Sequence, residues 1–517
     1  MLVAQSQPSG TLVLGALSGA LLGIASLPGP LGLLGFVALA PLLVAIDRGA
    51  AVRTAGSAGF LAGLLQFGIG FGFIPFATVG GGLALPVAYL LGVTALALGT
   101  AAYAASLAWM RRSSRLLPLL FAPGGWITLE FLRSQDLIGI PWNHLAYGLA
   151  EHPALIQSAS LIGLYGISCW MAAVNAGLVA CRSMAPGAIA ALALTLGIPL
   201  VPGLLPLPEA EGAPAESLRV AAVQPDLPEQ RRHREQWFDP NLRRLLDMTE
   251  GVIPEQPDLL VWPESAYEGN LSPGGDAFLS AIANGFDTPL LTGAWRVPRP
   301  GAQLRNAALL VERGGKLVHA ADKVHPTPIY ERAPSSEVSR WMARLGLWSG
   351  QFEPGEPADP IQIARAAGNP VMVGVLVCLD SSYPALAREL RKRGARLLVI
   401  VSNEAGTGSW SARVHARIAR FRAVETRSPI VRVGNTGPTR WIDSRGRVLR
   451  DLAPGASGAA AQDLALAGPA PPAVHVGDIP VVASAVGLGL AAAGIRIRTR
   501  RHVPQYRNLK RPKENGS

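Results

Sequence analysis

The chain has 517 residues, enough for two or more domains, and 49% of them are hydrophobic while only 16% are charged. Soluble globular chains carry roughly 25% charged residues, so a wholly soluble protein is excluded and bilayer-buried segments are expected. The net charge of +11 does not mark a nucleic-acid binder: residues 209–478 hold 31 Lys/Arg against 30 Asp/Glu, and the excess, 15 against 5, lies in the loops of the apolar region and in the C-terminal tail.

Apolar stretches near 11–28, 31–46, 57–76, 84–110, 116–132, 154–181 and 187–205 predict about seven membrane helices in a domain spanning 1–208; a span needs about 20 apolar residues. The first lacks a basic leader and is followed by more of its kind, so it reads as a retained span. Arg48 and Arg53, then Arg111, Arg112 and Arg115, then Arg182 occupy alternate loops. With a cytoplasmic N-terminus all of them fall on the cytoplasmic side, as the positive-inside rule requires. Glu130 and Arg133, at the end of the fifth stretch, read as an interfacial ion pair. The Pro/Gly/Glu-rich segment 203–216 is a domain boundary.

Beyond it the texture changes. LRVAAVQ (218–224), DLLVW (258–262), TPLLTGA (288–294), NAALLVE (306–312), KLVHAAD (316–322), PVMVGVLV (370–377), RLLVIVS (396–402) and PIVRVGN (429–435) predict strands, and 236–253, 384–393 and 410–426 predict helices. Near-continuously apolar strands alternating with helices predict an α/β layered domain over 209–478, with sheet buried on both faces. A last apolar stretch, 479–495, predicts an eighth span. It returns a basic tail, 496–517, to the cytoplasm and leaves the α/β domain outside it. The stretch 346–369, a Gly/Pro-containing loop, suits substrate entry.

Of three cysteines, Cys169 and Cys181 lie in or beside an apolar run and read as small hydrophobes. Cys378 closes a strand just before a helix, where helix N–H groups or a neighbouring lysine favour a thiolate, unless a nearby carboxylate takes the thiol proton as a general base. Glu264 and Lys323 also stand at strand ends, and strand ends on one sheet edge can converge. Taken singly each has a plain structural reading: a core thiol, a turn carboxylate, a surface lysine. No paired metal-ligand spacing occurs, so neither a metal nor another cofactor is expected.

WPES (262–265), DKVHPTPIYE (322–331) and VCLDSSYP (377–384) resemble, in order and spacing, the three signature regions of the nitrilase superfamily of carbon–nitrogen hydrolases. The resemblance implies an αββα sandwich and a catalytic triad of Glu264, Lys323 and Cys378, with Glu331 as a second glutamate. The block 401–443 resembles the next shared region, with Asn403 and Asn435 at recurrent polar positions. The flanking spans, together with TLEFLRSQDLIGIPWNHLAYG (128–148), resemble the apolipoprotein N-acyltransferases, and this likeness covers about 11–495. It implies a multi-pass protein of the bacterial inner membrane that moves a fatty acyl group from a phospholipid, through a Cys378 thioester, to the amine of a diacylglyceryl apolipoprotein. Its partners are then those two substrates and the bilayer. Asp380 stands where the family has glutamate, Leu379 where it has tyrosine, Ile329-Tyr330-Glu331 where it has Phe-Gly-Glu, and Gly406-Thr407 where it has an aromatic pair. Trp237 is matched to a family tryptophan near the site. Two other readings use the same residues: a membrane-tethered amidase or nitrilase, and a non-catalytic scaffold that binds lipoproteins.

Overall fold

The computed structural model describes residues 7–501 apart from 78–83, 136–138, 184, 205–215, 232–233, 272–276, 329, 333–336, 338–339, 341–343, 345–351 and 366–367. Most of the predicted linker, Ile329, the start of the 346–369 loop and the tail beyond Arg501 lie outside the described residues.

The N-terminal part is helical: α1 Pro8–Ala25, a 3-10 segment Pro30–Phe36 leading into α2 Ala40–Asp47, α3 Val52–Gly70, α4 Ala84–Arg111, α5 Leu116–Arg133, α6 Ala159–Ala180, α7 Pro186–Gly197 and α8 Val201–Leu204. Among the described residues six segments are long and apolar enough to cross a membrane: Pro8–Ala25, Pro30–Asp47, Val52–Phe76, Leu85–Arg111, Ala159–Ala180 and Pro186–Gly203. The fifth expected span, α5, is a helix but is not among the six. It carries Glu130 and Arg133, whose side chains approach to 3.8 Å. Both are buried within the protein. Glu130 accepts from Trp126 Nε1 at 2.9 Å and from the Leu145 amide at 2.7 Å, and Arg133 donates to the Asn143 carbonyl at 2.7 Å. The pair thus holds the chain leaving α5. The eighth expected span is the apolar part, Ile479–Gly494, of α14 (Ile479–Arg501).

Small residues let these helices approach closely, because dispersion between smooth surfaces replaces the hydrophobic drive inside a bilayer. A Cβ on Gly19 would lie 2.3 Å from the Ala62 carbonyl oxygen, and one on Gly59 2.6 Å from that of Thr100. At one end of the bundle three arginine-bearing segments meet Asp47. Arg111 Nη2 donates to its carbonyl at 3.1 Å, and Arg115 and Arg182 reach its carboxylate at 3.3 and 3.8 Å.

The α/β part is two packed sheets. One runs β13-β1-β2-β4-β5-β6, with β3 also on β4; the other runs β12-β11-β10-β9-β8-β7. The strands are β1 Ser217–Gln224, β2 Leu259–Val261, β3 Tyr267–Leu271, β4 Leu290–Arg296, β5 Arg305–Val311, β6 Leu317–Asp322, β7 Ile361–Ile363, β8 Val371–Val377, β9 Leu397–Ser402, β10 Ile430–Gly434, β11 Thr439–Ile442, β12 Val448–Leu452 and β13 Gly458–Ala465. β1-β2-β4 and β8-β9-β10 pair in parallel. Val220, Val261 and Leu310 of the first sheet share one core with Val373, Val399 and Trp441 of the second. Trp441 crosses it to donate to the Val220 carbonyl at 2.8 Å. The outer face of the first sheet is covered by α9 (Glu235–Val252) and α10 (Ala277–Asn284), that of the second by α11 (Pro384–Lys392) and α12 (Gly408–Thr426). This is the αββα sandwich, and the apolar runs named from sequence are its central strands. A short helix, α13 (Pro472–Val476), leads to α14.

The sandwich sits on the other end of the helical bundle through α12. Arg417 donates to the Leu27 and Ser26 carbonyls after α1, at 3.1 and 2.6 Å, and Arg420 pairs with Glu151 at 2.6 Å. The tightest link is at α6. Gly163 takes φ +67°, which breaks the helix and frees the Leu164 amide; Glu425 accepts it at 3.0 Å. Glu425 is fully buried and is also paired with Arg422 at 2.6 Å and Arg388 at 3.4 Å. Removing one partner of a buried pair leaves an uncompensated charge and costs about 3–5 kcal/mol. Glu425→Ala is therefore expected to lower the thermal unfolding midpoint in detergent by several degrees. Arg447→Ala, at an exposed pair, is expected to leave it nearly unchanged.

Candidate active site

Three strand ends deliver the three candidate side chains. Glu264 follows β2 through the Trp262-Pro263 turn, and β4 passes so near that a Cβ on Gly293 would lie 2.5 Å from the Glu264 Cα. Lys323 follows β6, and its amide donates to the Asn306 carbonyl at 2.8 Å, which fixes where the lysine stem begins. Cys378 follows β8 with φ +50°, a left-handed conformation that a residue with a side chain adopts only when its surroundings hold it there. The strand enters this turn and the chain leaves it through a short 3-10 segment, Cys378–Ser382, into α11. The thiol is thereby presented at a sharp elbow.

The three meet. Lys323 Nζ lies 2.9 Å from Glu264 Oε1 and 2.7 Å from Glu331 Oε2. The Cys378 thiol is close enough to Glu264 and Lys323 to feel both charges. Glu331 is held by the Thr327 amide at 2.6 Å. Asn306, at the start of β5, donates to both carboxylates, 2.7 Å to Glu264 and 3.0 Å to Glu331. Sequence reading missed Asn306; its one signal is a polar residue opening the apolar run NAALLVE.

Burial governs the proton affinities here, because it penalises every charged form. It pushes the Glu264 carboxyl up, with the nearby Glu331 charge adding to it and Lys323 opposing. Burial also pulls down on Lys323, but Cys378, Glu264 and Glu331 overcome it and hold the ammonium well above its ordinary range. Glu331 falls below the usual carboxylate value in spite of burial, through Lys323 and Thr327. Burial, then the Glu264 charge, push the Cys378 thiol well up, and Lys323 only partly offsets them. The resting sulfur is therefore a thiol near a carboxylate, the second of the two arrangements the sequence allowed. A thiol with a carboxylate close by suits a nucleophile activated by a general base.

Asp380 accepts from the Val324 amide at 3.0 Å and from the His325 amide and Nδ1 at 2.8 and 3.2 Å, so it ties the Cys378 turn to the segment after Lys323. Asn403 accepts from Asn435 Nδ2 at 3.0 Å, and Asn435 bonds both backbone groups of Leu227, bracing the loop after β1. Trp237 lies in the first turn of α9 beneath the Arg231 guanidinium, 4.5 Å from the ring centroid. Shortly after Gly406-Thr407 comes Trp410, whose ring centroid is 6.2 Å from that of Phe73; Phe73 is 5.9 Å from Trp142. These rings and Phe67, Phe71, Val93 and Leu96 form an apolar cluster between the bundle and the sandwich. Ligand atoms of Cys378, Glu404 and His415 lie within 4.8 Å of one another. Both ring nitrogens of His415 are already bonded, and Glu404 is paired with Arg432, so the donor set is committed to protein partners.

Fold and site together define a carbon–nitrogen hydrolase domain joined to membrane helices. The carbon–nitrogen hydrolase family model matches residues 219–470, and the apolipoprotein N-acyltransferase N-terminal domain model matches residues 18–177. The apolipoprotein N-acyltransferase of Geobacter metallireducens is 31% identical over 85% of this chain and 87% of its own length; that of Agrobacterium fabrum is 31% identical over 71% of each. Among solved structures, the Saccharomyces cerevisiae nitrilase-superfamily protein Nit3 is 21% identical, covering 51% of this chain and 93% of its own, with a TM-score of 0.37. The chain belongs to the apolipoprotein N-acyltransferase family.

A base must be ionised to act, so turnover is expected to rise with pH through a Glu264 value displaced upward from that of an ordinary carboxylate. Asn306→Ala removes a hydrogen bond to a charged group, worth about 1.5–3 kcal/mol. It is expected to lower kcat roughly 10- to 100-fold and to move the acid limb of the kcat–pH profile further upward, read from initial rates between pH 4 and pH 9.

Proposed function

We propose that this chain transfers a fatty acyl group from a membrane phospholipid to the α-amine of an S-diacylglyceryl-cysteine at a lipoprotein N-terminus. The observation that carries the reading is the convergence of Cys378, Glu264 and Lys323 in one buried cluster beside the apolar rings that face the helical bundle.

Glu264 takes the Cys378 proton as sulfur attacks the acyl ester carbonyl. The tetrahedral oxyanion is stabilised by the Lys323 ammonium; one such donor typically contributes about 10²–10³ in rate. Collapse expels the lysophospholipid alkoxide, which regains the proton from Glu264, and leaves a thioester. The lipoprotein amine then attacks the thioester, Glu264 accepts its proton, and the thiol is regenerated as the amide forms. This is ping-pong chemistry. The acyl chain lies along Phe73, Trp142 and Trp410, which keeps water from the thioester. Glu331 orients Lys323 through its 2.7 Å bond, and Asp380 orients the loop that carries it.

The domain assignment proposed from sequence follows: membrane helices over 1–208, the catalytic domain over 209–478, a last span over 479–495 and a basic tail over 496–517. The sandwich lies on the periplasmic face of the inner membrane. Two features favour that orientation. Arg111, Arg115 and Arg182 gather at Asp47, on one end of the bundle. The segments that touch the sandwich, near Leu27, Gly72 and Glu151, leave the other ends of the helices. Hydrolysis by a tethered amidase and a purely binding role are the weaker readings, since the family relatives are acyltransferases and every triad member is present.

Incubating the purified protein with phospholipid should add one acyl mass to Cys378, removable by a diacylglyceryl peptide amine. Cys378→Ala should show neither the adduct nor transfer, and Cys378→Ser should lose most of the transfer because a hydroxyl ionises far less readily than a thiol. Transfer retained by Cys378→Ala would refute the assignment.

A further inference from the structure

Beneath the nucleophile elbow lies a buried histidine that the mechanism above does not use. His415, on α12, is 2% exposed. Its Nε2 is 3.1 Å from the Cys378 carbonyl oxygen and 2.9 Å from Ser381 Oγ. Ser381 Oγ also lies 2.8 Å from that carbonyl, so its one proton can go to the carbonyl or to the ring, whereas the carbonyl itself can only accept. Nδ1 is 2.8 Å from Glu404 Oε1. Arg432 bonds that same carboxylate, which lies below the usual value despite burial, chiefly through the arginine. Each ring nitrogen therefore faces an acceptor. A neutral imidazole has one N–H, and either tautomer would set a nitrogen lone pair against an oxygen lone pair in a dry site.

We propose that His415 is held as an imidazolium, donating from Nδ1 to Glu404 and from Nε2 to the Cys378 carbonyl and Ser381, and acts as a positioning residue that fixes and charges the nucleophile elbow. The assignment of a role in activating sulfur rests on the reading of Cys378 as nucleophile. Three groups bear charge toward the ring: Glu404 from the loop after β9, Arg432 from β10 and Lys323 from the end of β6. The fourth neighbour is Cys378 itself. The imidazole lies below its ordinary value: burial pulls it down, as do the Arg432 and Lys323 charges, and Glu404 only partly offsets them. The bonding pattern opposes that pull, because loss of the second proton would leave two facing acceptors unsatisfied. From the bundle, Trp142 lies 5.6 Å away between centroids, and its Nε1 donates to Ser382 Oγ at 2.9 Å. The ring is thus walled from water on that side.

Two consequences follow for sulfur. First, the bond to the Cys378 carbonyl holds the left-handed turn that aims the thiol. Second, the imidazolium places a positive charge within 4.8 Å of Sγ. Lys323 divides its own charge between two carboxylates, so a second cation matters as the thiol proton leaves for Glu264. An opposite charge at about 4–6 Å lowers an acid's pKa by roughly 1–3 units.

The test has two arms on the full-length protein in detergent. With 15N-labelled histidine, the His415 ring is expected to show both nitrogens protonated at pH 7. Its signal is identified by its loss in His415→Gln, or, if that variant does not fold, by its response to Cys378 alkylation in a His325→Gln background. A neutral ring overturns the proposal. In the second arm, the rate of iodoacetamide addition at Cys378 is followed by peptide mass against pH. His415→Gln, which keeps a donor but no charge, is expected to move the midpoint up by about one unit, roughly tenfold slower below it. An unchanged profile in a folded variant overturns the charging role. Acyl adduct formation on Cys378 is measured in parallel. A neutral His415 with an acylated Cys378 sinks this inference alone; a protonated His415 with Cys378 never acylated sinks the function.

Discussion

The Lys323 ammonium, buried between Glu264 and Glu331, is the interaction on which the rest of the site depends. A lysine in that position without partners would discard its proton, and either carboxylate without the lysine would take one up. Together they keep one cation and two anions out of water. Asn306 then removes the remaining freedom by donating to both carboxylates at once. The sulfur joins this set as a thiol whose acidity burial and the Glu264 charge have weakened, so its proton leaves as a bond to carbon forms.

Holding such a charge set dry requires walls, and the two-layer sandwich supplies them. The central strands are apolar on both faces, and their ends converge on one edge. The elbow at Cys378 adds a strained turn that only its surroundings maintain. Ser381 and His415 both hold its carbonyl, and Asp380 ties it to the loop after Lys323. The fourth support comes from the helical bundle. Trp142 and Tyr147 both bond Ser382, and Tyr383 bonds the Gly139 carbonyl. The residues directly after the nucleophile are therefore anchored in the segment that Glu130 and Arg133 hold. The bundle takes part in building the site as well as in anchoring it to the bilayer.

That coupling explains the polar residues buried in the helical region. Glu130 and Arg133 are costly in an apolar environment. They fix an irregular segment whose backbone groups have no helix to satisfy them. Gly163 and Glu425 act alike at α6: the break frees one amide, and a carboxylate from the sandwich accepts it.

The sequence by itself determined the layered α/β class, most central strands, the six apolar segments and the three strand-end residues that the fold brings together. The apolar runs and strand ends are legible because apolar periodicity is a local property. The strands β3, β7, β11, β12 and β13 were not legible, since Gly-Ala-Ala-Ala-Gln-Asp-Leu-Ala becomes a strand only by pairing with β1. The helix at 116–133 read as a simple span because the partners of its ion pair, Trp126 and Leu145, are brought to it only by the fold. Asn306, Glu404 and His415 are polar residues whose importance lies in what faces them across long sequence separations. The thiol's protonation was likewise a tertiary outcome. The sequence left open a thiolate beside a helix or a thiol beside a carboxylate; burial and a carboxylate brought from more than a hundred residues away decide for the thiol, because desolvation is a property of the closed fold.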